Sequence, residues 1–173
     1  MRISSIEEYG LRCALQMARA FSGGTLLSAS ELAEIEGLSV EYVSKIMQLF
    51  KKSGLVLSVR GAQGGFILSE APRDISLSRV LESVQEKKLQ SLESFCESHG
   101  GQQNSCVHIG ACSLQPVWLI LLDSFEQMFS TLSLADLLEP RQDLHKKVRE
   151  VASQTIDHVF NAKTEVKGVV SHV

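Results

Sequence analysis

No stretch of the sequence approaches the roughly 18 to 20 uncharged apolar residues that a membrane span needs. The opening MRISSIEEYG lacks the basic-then-apolar order of an export signal. The expected compartment is therefore the cytoplasm, with no membrane partner. Cysteine is scarce, 4 in 173 residues, and in a reducing setting cysteines read as metal ligands, redox thiols or small buried residues rather than a disulfide framework. Neither an internal repeat nor a low-complexity run is present. Basic charge is not in excess either: the net charge of −3 lacks the single-sign field that usually marks a protein neutralising phosphates. No histidine or carboxylate stands at a motif spacing that would make Cys106 or a serine a nucleophile, so the chain is not read as an enzyme.

An ordinary apolar fraction, 44%, is enough for a compact domain. From residue 5 to about 21, Ile6, Tyr9, Leu11, Cys13, Ala14, Leu15, Met17 and Ala18 trace a helical stripe that stops at Ser22-Gly23-Gly24. Ser28 or Ser30 can cap a short second helix carrying Leu32, Ala33 and Ile35, which ends at Gly37. After the turn Glu36-Gly37-Leu38, Ser39 caps a third helix to about residue 52, with Val43, Ile46, Met47 and Phe50 at spacings of three and four. A short helix, a glycine turn and a second amphipathic helix form the helix-turn-helix pattern, whose second helix enters a major groove.

Beyond Ser53-Gly54, Leu55, Leu57 and Val59 alternate as a strand. A turn, Arg60-Gly61-Ala62-Gln63-Gly64-Gly65, follows, and Phe66 and Leu68 resume the alternation as a wing hairpin. A fourth helix, from 76 to about 85, carries Leu77, Val80, Leu81 and Val84 behind the Pro72 breaker. The expected fold class is mainly α with a small β-hairpin: a winged helix-turn-helix domain over residues 1–85. Lys45, Lys51, Lys52, Arg60 and Arg73 gather where its DNA-facing elements should be. Ser39, Glu41, Tyr42 and Lys45 lie in the first turns of the third helix, where base and phosphate contacts originate, with Tyr42 and Lys45 leading. Glu41 either accepts from a cytosine amino group or favours the helix N-terminus.

Composition then shifts. From Glu86 to Gln103 the chain is polar, too poor in apolar side chains to fold without another constraint, and residues 86–112, the expected cluster-binding loop, hold Cys96, Cys106 and Cys112 in the spacing C-x9-C-x5-C. Cys13, among Leu11, Ala14, Leu15 and Met17, reads instead as a buried inert residue. After Cys112, Leu114, Val117, Trp118, Ile120, Leu121, Phe125, Met128 and Phe129 make a helix too apolar to lie free in water, which points to a homodimer with residues 113–138 as its dimerisation helix. Residues 139–173 carry a last amphipathic helix, about 141–162, and a tail.

MRIS at the start, LSVEYVSK at 38–45, SGLV at 53–56, VRGAQGGFIL at 59–68 and the three-cysteine segment together resemble the Rrf2 family of bacterial regulators. TLSLADLL at 131–138 resembles the end of that family's dimer helix, and nothing beyond Pro140 carries a family motif. The resemblance implies a winged helix-turn-helix domain on a double-stranded DNA operator, a long helix that crosses its partner, a tendency to repress, and in many members an iron-sulfur cluster sensing iron status, nitric oxide or redox state. By the family's example, Arg60 enters a narrow minor groove with Gln63 beside it.

Thiolates are the preferred ligands of iron-sulfur clusters. Cys96, Cys106 and Cys112 are accordingly the candidate ligands of a [2Fe-2S] or [4Fe-4S] cluster, which would also supply the constraint this segment lacks. The second cysteine gap matches the family, and the first is longer than the five-residue gap of better-known members. Three cysteines leave one ligand to find. Cys112 is followed by Ser113, not the histidine of the iron-sulfur assembly regulators, whereas Glu8 occupies the first-helix position where related sensors place Asp or Glu from the other subunit. Glu8 is the fourth-ligand candidate by that resemblance, ahead of Glu7 and His108; without it, Glu8 is a solvated glutamate favoured by the helix dipole. The alternatives are a clusterless thiol sensor, zinc on the same cysteines with His99 or His108, or a winged-helix protein adaptor that binds no DNA.

Overall fold

The computed structural model describes residues 3–61, 64–85, 101–102, 106–108 and 111–165, with the side chains of the last helix described to residue 158. It divides into two compact units. The first comprises the described residues up to Gln85 together with residues 130–144; the second comprises the remainder.

Four helices and a hairpin build the first unit: α1 (Ser5–Phe21), α2 (Ala29–Glu36), α3 (Val40–Lys52), β1 (Val56–Val59), β2 (Gly65–Leu68) and α4 (Leu77–Val84). α1 packs on α4 and β2, α2 on α3, and α3 on α4 and β1. One stripe of each helix meets in a common core of Cys13, Ala14, Met17, Leu32, Val43, Ile46, Met47, Phe50 and Val80, with Leu134 from the returning segment. Full burial of one such large side chain stabilises by about 1.5–3 kcal/mol.

Serine starts and glycine stops set the helix lengths. Ser28 Oγ accepts from the Glu31 N–H at 3.2 Å, while Glu31 Oε2 accepts from the Ser28 N–H at 2.7 Å, a reciprocal cap. Ser39 and Ser76 cap α3 and α4 through the N–H groups of Tyr42 and Arg79. At the far end of α2, Gly37 turns left-handed at φ 67°, a conformation open to glycine because it has no Cβ. The Leu38 N–H can then reach the Ala33 carbonyl at 2.9 Å.

α3 closes the same way, and this alters the expected strand. The Leu55 N–H reaches back to the Phe50 carbonyl at 2.9 Å, so Leu55 belongs to the helix-closing turn and is buried as part of it. The strand proper begins at Val56 with its facing shifted by one residue. Val56 points inward at 2% exposure, whereas Leu57 and Val59, expected as continuations of the inward set, stand 57% and 48% exposed. β1 pairs antiparallel with β2 from Val56 opposite Leu68 to Val59 opposite Gly65. Leu27 bridges to Phe66 through hydrogen bonds of 3.0 and 2.8 Å, tying the base of the wing to the loop ahead of α2.

α5 runs Gln115–Thr131 and therefore stops short of Leu138, the expected end of the long helix. Residues 132–138 turn back onto the winged unit instead. Leu77 donates to the Leu132 carbonyl at 2.8 Å and Leu134 to the Ile75 carbonyl at 2.9 Å, with Leu132 and Leu134 buried. Extended pairing and burial outcompete helical continuation here, and the Ser133 N–H and Oγ both donate to Asp136 to hold the turn that follows.

In the second unit α5 buries none of its residues. Val117 is 50% and Leu121 52% exposed, and Phe125 stacks on Phe129 with centroids 4.3 Å apart. The last helix, α6, spans Arg141–Glu165, with Val151 and Thr155 buried. No described helix is long and apolar enough to cross a membrane.

Candidate functional site

α3 presents two opposite faces. Val43, Ile46, Met47 and Phe50 are buried, while Glu41, Lys45, Gln48 and Lys52, at positions i, i+4, i+7 and i+11, form an exposed stripe. The stripe holds the sequence candidates Glu41 and Lys45. It adds Gln48, which the reading of the first turns passed over although helical phase alone places it beside Lys45. Ser39 Oγ is committed to the Tyr42 N–H, so it serves the helix start and fixes the first turn. Lys51 is exposed near the C-terminal end of the helix.

Tyr42 differs from the other candidates in being half-buried and held. Its ring meets Tyr9 of α1 edge to face, with centroids 5.7 Å apart and planes at 88°, a favourable quadrupole arrangement. The Arg12 guanidinium lies 5.4 Å from the centre of the Tyr9 ring. Arg12 Nε donates to Glu36 Oε2 at 2.6 Å and Arg12 Nη2 donates to the Glu36 carbonyl at 3.0 Å. Gln16 donates to the other carboxylate oxygen, Glu36 Oε1. The hydrogen bond to Glu36 raises the Arg12 pKa above its ordinary value, so the cation is permanent. None of Tyr9, Arg12, Gln16 and Glu36 was singled out from the sequence as a member of this site.

At the wing, Arg60 is exposed at the end of β1. Gln63 lies outside the described residues. Arg79 grips Glu70 with two hydrogen bonds of 2.8 and 2.9 Å, and the arginine holds the Glu70 carboxyl below its ordinary value.

Cys106 and Cys112 are free, half-buried thiols, Cys112 standing just ahead of α5, where its carbonyl accepts from the Gln115 N–H at 3.1 Å. Cys96 and His99 lie outside the described residues, and His108 is exposed. Among the described residues no three histidine, cysteine or acidic side chains form a metal-binding group. In donor chemistry, two accessible free thiols within one short segment match a thiolate-bound cluster. Cys13 is of another kind: it is fully buried, and burial pushes its thiol up to about 11, which leaves it protonated and inert.

The two α1 carboxylates separate cleanly. Glu7 Oε2 accepts from the N–H and the Oγ of Ser4, each at 2.7 Å, and Glu7 Oε1 accepts from the Gln85 amide at 2.7 Å. Burial raises its carboxyl pKa, but the bonds from Ser4 and Gln85 outweigh that and leave it below the ordinary value. Glu8 is exposed and its carboxylate carries no hydrogen bond among the described residues; it feels Arg12, one helical turn on, only electrostatically. Of the two, Glu8 alone has oxygens free to coordinate.

A family profile described as Rrf2, iron-dependent transcriptional regulator, matches residues 3–140. The chain belongs to the Rrf2 family. This Rrf2 protein is a DNA-binding transcriptional regulator, and its fold is shared with solved members. It is 30% identical to IscR of T. potens over 80% of this chain and 86% of that one, with a TM-score of 0.59. CymR (YrzC), the global cysteine regulator of B. subtilis, is 22% identical over 79% of this chain and 95% of its own, at a TM-score of 0.60. The oxidised form of Staphylococcus aureus CymR is 24% identical over 81% and 98%, at 0.62. The two CymR likenesses support the winged fold alone. The Rrf2 match ends at residue 140, so most of α6 lies beyond the matched residues.

Proposed function

We propose that this Rrf2 regulator binds a double-stranded DNA operator as a homodimer in the cytoplasm and that an iron-sulfur cluster on Cys96, Cys106 and Cys112 sets its affinity. The observation that carries the sensing half is the pair of free, half-buried thiols, Cys106 and Cys112, just ahead of a helix that buries nothing, in a chain whose family is described as iron-dependent. When bound, a cluster supplies redox and nitric-oxide reactivity. The chain supplies three thiolates, and Glu8, whose carboxylate is uncommitted where that of Glu7 is not, is the fourth ligand, given by the other subunit. An oxygen ligand is weaker than thiolate toward iron and exchanges more readily, so α1 is the element through which cluster state reaches the DNA-reading helix.

α3 lies in the major groove with Tyr42, Lys45 and Gln48 toward the bases, Glu41 and Ser39 supporting its N-terminal turn, and Arg60 with Gln63 at the minor groove. The exposed α5 residues Val117 and Leu121 form the dimer seam. Repression is the direction of control.

The test is protein purified without oxygen, with visible absorption, iron and acid-labile sulfide measured together. The expected result is a brown protein with matched iron and sulfide, lost in Cys112→Ser, and a Glu8→Ala variant whose DNA affinity no longer follows cluster redox state. Colourless protein holding zinc or only free thiols would reject the cluster and leave a second reading, a clusterless thiol sensor. That reading draws on the same free thiols and on the description of CymR as a cysteine regulator.

A further inference from the structure

α1 touches the reading helix through a set of side chains that serves no evident packing need. A carboxylate that is 6% exposed needs a cation or several donors, and Glu36 has both: Arg12 Nε on one oxygen, Gln16 on the other, with a second Arg12 nitrogen on its own carbonyl. Glu36 is the last residue of α2, directly before the left-handed Gly37 that aims α3. The same guanidinium that grips Glu36 stands over Tyr9, and Tyr9 abuts Tyr42 in the first turn of α3. A guanidinium, whose donors form a rigid planar fork, holds a carboxylate and a carbonyl from fixed directions while its face lies toward a ring; an ammonium on a flexible stem fixes those directions less well.

We propose that Arg12 is the positioning residue of the DNA-reading surface: it fixes the turn ahead of α3 through Glu36 and the placement of the Tyr42 side chain through Tyr9. The Tyr42 backbone is set by the Ser39 cap and its ring by Tyr9, so it reaches DNA preorganised. This inference rests on the reading that Tyr42 reads base pairs, and is independent of whether a cluster is bound.

The full-length protein is compared with Arg12→Lys, Tyr9→Leu, the double variant and Tyr42→Ala. The probes are a duplex enriched from a random library by the parent protein and an unrelated duplex of equal length. Tyr42→Ala identifies which base pairs depend on that side chain. Arg12→Lys should lose about fivefold to tenfold on the enriched duplex, the low end of a lost base readout. It should lose discrimination at the same base pairs, and leave the unrelated duplex and the melting temperature nearly unchanged. Tyr9→Leu should do the same, and the double variant no worse than either single change. Unchanged affinity in Arg12→Lys would overturn the proposal. So would a parallel loss on both duplexes that tracks a fall in melting temperature, or lost discrimination at other base pairs. If Tyr42→Ala leaves every base preference intact, the assignment of Tyr42 to reading falls as well, and Arg12 has nothing to position.

Discussion

The winged unit and the second unit are held by different means. Among the described residues, every one of the largest fully buried side chains, from Phe50 and Met17 to Val80 and Val84, lies in the winged unit, which closes its core with its own helices and the returning Leu132 and Leu134. In the second unit α5 buries nothing, and Val151 is the one described apolar residue below the surface. The first is specified by what the chain packs against itself. The second exposes apolar side chains of α5, Val117 and Leu121 among them, and holds two free thiols, so little of it is specified by packing within the chain.

The largest break in that contrast comes from Phe50→Ala, which removes a fully buried ring at the meeting of α3 with the rest of the core. It should cost about 3–5 kcal/mol in denaturant unfolding and abolish DNA binding with it. Gly65→Ala comes next: a Cβ there would sit 2.9 Å from the Leu27 carbonyl carbon and oxygen, both backbone atoms that cannot step aside, for a loss of about 1–3 kcal/mol. Ser39→Ala removes the α3 cap and should cost about 1 kcal/mol with weaker DNA affinity, measured by unfolding and duplex titration.

Leu121→Asp sharpens the comparison from the other side. Leu121 is exposed within one chain, so winged-unit stability should move by no more than about 0.5 kcal/mol, while sedimentation should shift from dimer to monomer; a core-sized loss of stability would erase the distinction. The smallest effect is in acid. Glu31 and Glu70 lie below their ordinary 4.5 in the folded chain, held by hydrogen bonds from Ser28 and Arg79 respectively. Each contributes stability that is present above the unfolded value and lost as pH falls through the lowered folded one. A melting temperature that drops slightly below about pH 4.5, and less in Glu70→Gln, is expected.

Much of the reader was legible because its signals are local. A serine three residues ahead of Glu31 or a glycine after Glu36 acts within one turn; α1 to α4 begin, and α1 to α3 end, where such signals stand. The facing of β1 was not, because Leu55 serves a helix-closing turn whose reach to Phe50 becomes visible only with the backbone in place. The end of α5 at Thr131 was hidden for a similar reason: residues 132–134 pair with residues more than fifty positions earlier in the chain. Of the site, the α3 stripe followed from helical phase, whereas the Arg12–Glu36 grip joins residues 24 apart and no spacing rule announces it. Local rules found the exposed polar groups of α3 and missed the buried grip behind them.

The bridge between Leu27 and Phe66 has a consequence for operators. Because the wing's second strand is hydrogen-bonded to the loop ahead of α2, and Gly65 lets the two backbones touch there, wing and recognition helix share one frame and cannot slide apart. On the proposed DNA complex, each subunit acts as a fixed-length caliper: a base pair inserted between the stretch assigned to α3 and the stretch assigned to the wing meets a strand base already tied to the loop ahead of α2, and tolerance for variable spacing falls to the proposed dimer.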